Sequence, residues 1–182
     1  MTFKPKSFSC KDLNFKIRAA VETDGKHLSE LRVIVDRETE NFDRESGEDF
    51  LSENDFINII LTETNDSNSL FLVADVDDKI VGFIRAKGNN LKRTSHRIEF
   101  GVAVLKEFWG YSIGKKLLIE MINWADSNGI RKISLQVLET NQKAIKLYKS
   151  LGFKIEGVLK EDKQLTNGYY NTILMGRINT DN

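Results

Sequence analysis

The chain has 182 residues, 40% of them hydrophobic and 30% charged, which suits one globular domain around one sizeable core. Its 27 Lys and Arg balance 27 Asp and Glu, so no overall basic field draws it to nucleic acid or to an anionic membrane. One cysteine, Cys10, and two histidines, His27 and His96, exclude an internal disulfide framework and leave too few ligands for a thiolate-rich or histidine-based metal site.

No apolar run approaches the roughly 20 residues that span a bilayer. The start, MTFKPKSFSCKDL, lacks the apolar core of a signal peptide. A cytoplasmic protein in a reducing compartment is expected.

Met1 to Asn14 reads as a polar leader holding the only proline, Pro5, with a single domain over residues 15–178. Phe15 to Ala20 alternates apolar and basic residues and predicts a strand. Thr23 or Asp24 is a candidate cap for a helix carrying Leu28, Leu31, Ile34 and Val35. A second, short helix carries Phe56, Ile59 and Ile60 on one face, and Asn65–Ser69 is a loop. Leu70–Val76 and Lys79–Lys87 are strands joined at Asp77-Asp78 in a hairpin. Gly88 to Asn90 marks another turn, and Ser95–Val104 is a strand. Ser112–Asn128 has Ile113, Leu117, Met121 and Trp124 along one stripe, an amphipathic helix closed by Gly129. Lys132–Leu138 is a buried strand. Asn141 caps a helix that ends at Gly152. Phe153–Leu159 and Tyr169–Ile178 are the final strands, an antiparallel pair.

Short turns join the early strands, so these pair antiparallel. Ser95–Val104 and Lys132–Leu138 flank a whole helix and can lie parallel through a right-handed crossover. The expected fold class is α+β: a mixed, mostly antiparallel central sheet with helices on both faces.

The segment from Val102 to Leu118 (VAVLKEFWGYSIGKKLL) is strand, small-residue turn and helix N-terminus. Gly110, Ser112 and Gly114 leave little bulk, so backbone N–H groups can approach a ligand closely. Unpartnered N–H groups and the helix dipole favour a phosphate there, and Lys115 and Lys116 add charge. Gly110 to Lys116 is one residue short of a P-loop and lacks its Ser/Thr, and no G-x-G-x-x-G is present. A turn with no ligand remains the alternative on spacing alone.

This segment resembles the coenzyme-A loop of the GNAT superfamily of N-acetyltransferases, written Gln or Arg, two residues, Gly, one residue, then Gly or Ala. Trp109 stands at the Gln/Arg position, Ser112 at the first Gly and Gly114 at the last. Trp109 is the larger departure, because it changes the side chain and not the backbone cradle. Asn141 to Phe153 (NQKAIKLYKSLGF) matches the family's N-x-x-A-x-x-x-Y-x-x-x-G-F helix at every position. The resemblance covers roughly Phe15 to Arg177 and implies acetyl-CoA as co-substrate.

The resemblance implies a cofactor-binding set of Val102, Ala103, Val104, Trp109, Gly110, Tyr111, Ser112, Ile113, Gly114, Lys115, Asn141, Ala144 and Tyr148. Within it, the Val102 and Val104 N–H groups would hold the pantetheine arm and polarise the carbonyl. Tyr148 would sit beside the thioester sulfur as the catalytic acid; a core tyrosine is the other reading. Glu99 is the candidate catalytic base, acting through water, against a surface glutamate paired with Arg97 or Arg85. Residues 36–55 hold nine carboxylates and two arginines, which would suit a cationic amine or form a solvated face. Lys143, Lys146 and Lys149 can meet the adenosine phosphates or face solvent. The acceptor is expected to be a primary amine of a small molecule or of a protein N-terminus. The alternative is a non-catalytic acyl-CoA-binding module. Exposed strand edges would allow a homodimer.

Overall fold

The computed structural model describes residues 3–180. Eight strands form one sheet, in the order β1-β2-β3-β4-β5-β6-β8-β7. These are β1 (Lys6–Cys10), β2 (Leu13–Ala19), β3 (Ser69–Val76), β4 (Lys79–Lys87), β5 (Arg97–Val104), β6 (Lys132–Leu138), β7 (Lys154–Leu165) and β8 (Gly168–Ile178). Helices α1 (Gly25–Glu38) and α2 (Glu53–Thr64) fall between β2 and β3, α3 (Ile113–Ser127) between β5 and β6, and α4 (Gln142–Ser150) between β6 and β7. Among the described residues only β5 and β6 pair in parallel. This is the mixed, mostly antiparallel sheet expected.

Side-chain alternation assigns the helices to faces. Phe71 and Phe83 face α2, with the Phe71 ring tilted against that of Phe56 at a centroid distance of 6.5 Å, and Arg85 reaches Glu63 on the same side. The opposite face of β5 carries Ile98, Phe100, Val102 and Val104. A Cβ on Gly114 would lie 3.7 Å from Val104 Cγ2, and Phe100 packs on Tyr148 with centroids 5.9 Å apart, so α3 and α4 share that face. β3 is covered on both sides, which explains its continuous buried run Leu70–Ala74. In α3, Ile113, Leu117, Leu118, Met121, Ile122 and Ala125 are buried at helical spacing.

Four local outcomes differ from the sequence reading. The leader is not separate from the sheet: Lys6–Cys10 forms β1 and pairs antiparallel with β2 from Lys6↔Ile17 to Cys10↔Leu13. Met1 and Thr2 lie outside the described residues. Asp24 does not cap α1 through its side chain, which instead accepts from Arg18 (2.7 and 2.9 Å) and from Val21 N (2.9 Å). A charge-assisted fork from Arg18 outcompetes a single helix N–H. β5 starts at Arg97 rather than Ser95, because Asn89 Oδ1 binds Leu91 N and Thr94 Oγ1 and winds the preceding loop into turns. β7 runs past Leu159 to Leu165, with register shifts between Leu159 and Lys163 that carry the polar stretch.

Candidate active site

β5 and β6 hydrogen-bond only over Arg97–Glu99 against Lys132–Ser134. β5 then continues to Val104 and β6 to Leu138, each still paired on its outer edge, to β4 and β8. The two inner edges therefore part, and their backbone groups face a cleft. A cavity of about 1200 Å³ opens there and reaches both faces of the sheet. Glu99, Val102, Ala103, Val104, Trp109, Gly110, Ser112, Ile113, Gly114, Lys115, Asn141, Ala144 and Tyr148 all line it. Of the predicted site residues, Tyr111 does not. Its ring lies under the Lys11 ammonium, 5.2 Å from the centroid.

The turn before α3 is built for close backbone approach. Gly110 has φ +89° and Ser112 φ 61°, both left-handed. Ser112 thus holds, with a side chain, a conformation that disfavours one by about 1–2 kcal/mol. It makes no side-chain cap bond to α3, and the α3 first turn contains no acidic residue. The first intrahelical bond is Lys116 N to Ser112 O, 2.9 Å, so the N–H groups of Ile113 to Lys115 are left for a ligand. Ile113 itself is 1% exposed, which limits its contribution to backbone. Trp109 turns back: its indole N–H donates to Val104 O at 2.8 Å and ties the turn to the end of β5.

The leader also reaches this turn. Cys10 Sγ lies 3.8 Å from Ser112 Oγ, and Lys11 Nζ lies 3.7 Å from where a Gly110 Cβ would be. The signal was present in the alternation of Lys6, Phe8 and Cys10 against Leu13, Phe15 and Ile17. Its intervening polar residues mask it.

Tyr148 is 8% exposed and packs edge-on against Phe100 and Phe153, with centroids at 5.9 and 6.0 Å. Burial disfavours the phenolate and pushes its pKa up to about 12. Asn141 fills both roles open to it: its Oδ1 accepts from Ala144 N at 3.3 Å, capping α4, and it lines the cavity. Of the three α4 lysines only Lys143 reaches the cavity wall.

Glu99 lies on the other face of the sheet, toward α1 and α2. It pairs with neither Arg97 nor Arg85; Gln136 Nε2 donates to its Oε1 at 3.4 Å. Arg85 instead grips Glu63, whose side chain is 3% exposed. The acidic run over residues 36–55 is largely engaged internally. Asp36 meets Arg44, Asp49 meets Arg32, Asp43 meets Lys163, and Asp55 closes the capping box of α2 with Ser52. No helix among the described residues is long and apolar enough to cross a membrane.

The profile described as the acetyltransferase (GNAT) family matches residues 28–153. The L-amino acid N-acetyltransferase AaaT of Escherichia coli strain K12 is 34% identical over 109 residues, which are 59% of this chain and 67% of that protein. An N-alpha-acetyltransferase of Sulfurisphaera tokodaii is 34% identical over 99 residues, covering 50% of this chain and 59% of that protein. The crystal structure of an acetyltransferase of the GNAT family from Streptococcus pneumoniae superposes with a TM-score of 0.87 at 28% identity, over 91% of this chain and 99% of that one.

Proposed function

The chain belongs to the acetyltransferase (GNAT) family and transfers the acetyl group of acetyl-CoA to an amine; from that premise we propose how its own residues divide the reaction. The observation that carries the proposal is the parting of β5 and β6 beside the uncapped start of α3, both on one cavity.

The N–H groups of Ile113, Gly114 and Lys115 take the pyrophosphate. The inner edge of β5 at Val102–Val104 takes the pantetheine arm in the manner of an added strand, and one of its N–H groups donates to the carbonyl oxygen as charge develops there. Bound acetyl-CoA supplies an activated acyl carbon and a thiolate leaving group. The amine enters from the α1/α2 face, and Glu99 receives its proton through water as the C–N bond forms. Tyr148, on the α4 face, donates a hydrogen bond to the sulfur as the C–S bond breaks. The amine's proton passes through Glu99 to water and CoA leaves as the thiolate, so the exchange balances. A phenol with a pKa of about 12 is a weaker acid than a thiol, whose reference value is roughly 8.5. Tyr148 therefore works chiefly by holding a hydrogen bond to the forming thiolate. Transfer is direct, with no covalent enzyme intermediate. The compartment we assign is the cytoplasm, and the acceptor is a primary amine of a small molecule or of a protein N-terminus.

The test is calorimetric titration with acetyl-CoA and CoA, then thiol release with an amine panel. Saturable binding of both and amine-dependent thiol release are expected. Absence of binding would overturn the assignment of the cleft. Glu99→Gln is expected to lower kcat/KM for the amine about 10²-fold with acetyl-CoA affinity unchanged. An unaltered rate would return Glu99 to the surface.

A further inference from the structure

The acceptor half of the cavity carries a charge pattern that discriminates among amines; the inference rests on the acetyl-transfer reading above and narrows its acceptor. β4 and β5 pair with Lys87 opposite Glu99, Arg85 opposite Gly101 and Phe83 opposite Ala103. Directly opposed side chains share a sheet face, here the one toward α1 and α2. Gly101 leaves a hole in that face: a Cβ on it would meet no atom within 4 Å.

The groups around the hole differ in how free they are. Arg85 is held as a fork, its Nε and Nη2 both donating to Glu63, while Nη1 takes no part in that pair. Lys87 is exposed and forms none of the ion pairs among the described residues. Among the described residues Glu99 has only its 3.4 Å contact with Gln136. One uncommitted cation and one uncommitted carboxylate thus flank the opening. Arg85 and Glu99, diagonal across the strand pair, stand about 7–8 Å apart at Cα, a span that one α-amino acid fits. Phe83 and Phe42 supply an apolar wall to the same cavity.

Within the acidic run, Asp36, Asp49 and Asp43 are already paired with Arg44, Arg32 and Lys163. We infer that the acceptor is a free α-amino acid with an apolar side chain. Its amine lies toward Glu99, its carboxylate is held by Arg85 and Lys87, and its side chain rests against Phe83 and Phe42. A polyamine meets the Lys87 ammonium beside Glu99, while of the other carboxylates lining the cavity Asp43 and Asp49 already carry Lys163 and Arg32 and Glu38 accepts from Lys106 N. A protein N-terminus presents an amide where Lys87 would meet a carboxylate, leaving that ammonium without an ionic partner.

The experiment measures thiol release from acetyl-CoA with L-phenylalanine, L-leucine, phenethylamine, L-phenylalaninamide, spermidine and a peptide beginning with phenylalanine. Acetyl-CoA binding is measured in parallel by calorimetry. The expected result is a kcat/KM for the free amino acids at least about 10²-fold above that for phenethylamine, the amide and the peptide. Lys87→Gln, at an exposed position, is expected to raise KM for L-phenylalanine about tenfold and leave KM for phenethylamine unmoved. Equal or better rates with the decarboxylated amine, spermidine or the peptide would overturn the acceptor assignment while leaving the transferase reading intact. Acetyl-CoA binding without turnover of either amino acid would do the same. Absent acetyl-CoA binding would bring down both.

Discussion

Tyr148→Phe is expected to lower kcat by about 10²-fold or more while acetyl-CoA affinity, measured by calorimetry, stays nearly constant. The hydroxyl is the only group removed, and the ring keeps its packing on Phe100 and Phe153. Deleting a desolvated polar group from such a site is close to neutral for stability, so a fall in kcat reads chemistry rather than folding. The pH dependence separates the roles further. Burial raises the phenol from 10.0 to about 12, so Tyr148 stays protonated across the neutral and mildly alkaline range. A basic limb below pH 10 therefore belongs to another group and should survive in the variant. The raised value also fixes the sign of a stability effect. The contribution from neutral, buried Tyr148 is complete below pH 10 and is lost as pH rises toward 12, a loss the phenylalanine variant lacks. An undiminished kcat would remove Tyr148 from the mechanism.

Gly114→Glu is expected to weaken acetyl-CoA binding about 10²- to 10³-fold without lowering Tm. The two effects have different physical origins and opposite signs. A glutamate in the first turn complements the helix dipole, by about 0.3–1 kcal/mol, and replaces a residue that disfavours helix by about 1 kcal/mol relative to alanine. The new Cβ would meet Val104 Cγ2 at an ordinary 3.7 Å. The same carboxylate, at the start of α3, would face the pyrophosphate in the proposed binding mode. Two like charges about 5 Å apart at an effective dielectric of ~20 repel by ~3 kcal/mol. α2 carries Glu53 and Asp55 in its first turn, whereas α3 carries no acid in its own, consistent with an α3 terminus left open to an anionic ligand. Gly114→Ala is the control that should keep both binding and stability. Unchanged affinity in the glutamate variant would place the pyrophosphate elsewhere.

The turn before α3 and the α4 helix were legible because each is local. The turn from Trp109 to Gly114 and the helix from Asn141 to Phe153 depend on residues within a few positions of one another. The Asp77-Asp78 turn was legible for the same reason, and its residues have φ 49° and 65°. What failed was local pattern at the sheet margins. β1 and β7 are edge strands whose polar, exposed residues look like loop until a neighbour supplies hydrogen bonds. Trp109, a departure from the motif, gained a role only when Val104 O came within 2.8 Å of its indole.

The sequence by itself determined the elements, the sheet class, the small-residue turn before α3 and the positions of Tyr148 and Glu99 on their own elements, because side-chain period and capping act along the chain. Tertiary structure alone decided three things: the parting of β5 from β6, the placement of Tyr148 and Glu99 on opposite faces of one cavity, and which charges remain free inside it. Arg85 is forked through Nε and Nη2 onto a residue 22 positions away, and Asp43 pairs with Lys163 on the far hairpin. Ion pairing depends on distance in space, and a run of carboxylates carries no record of the cations that folding brings to it.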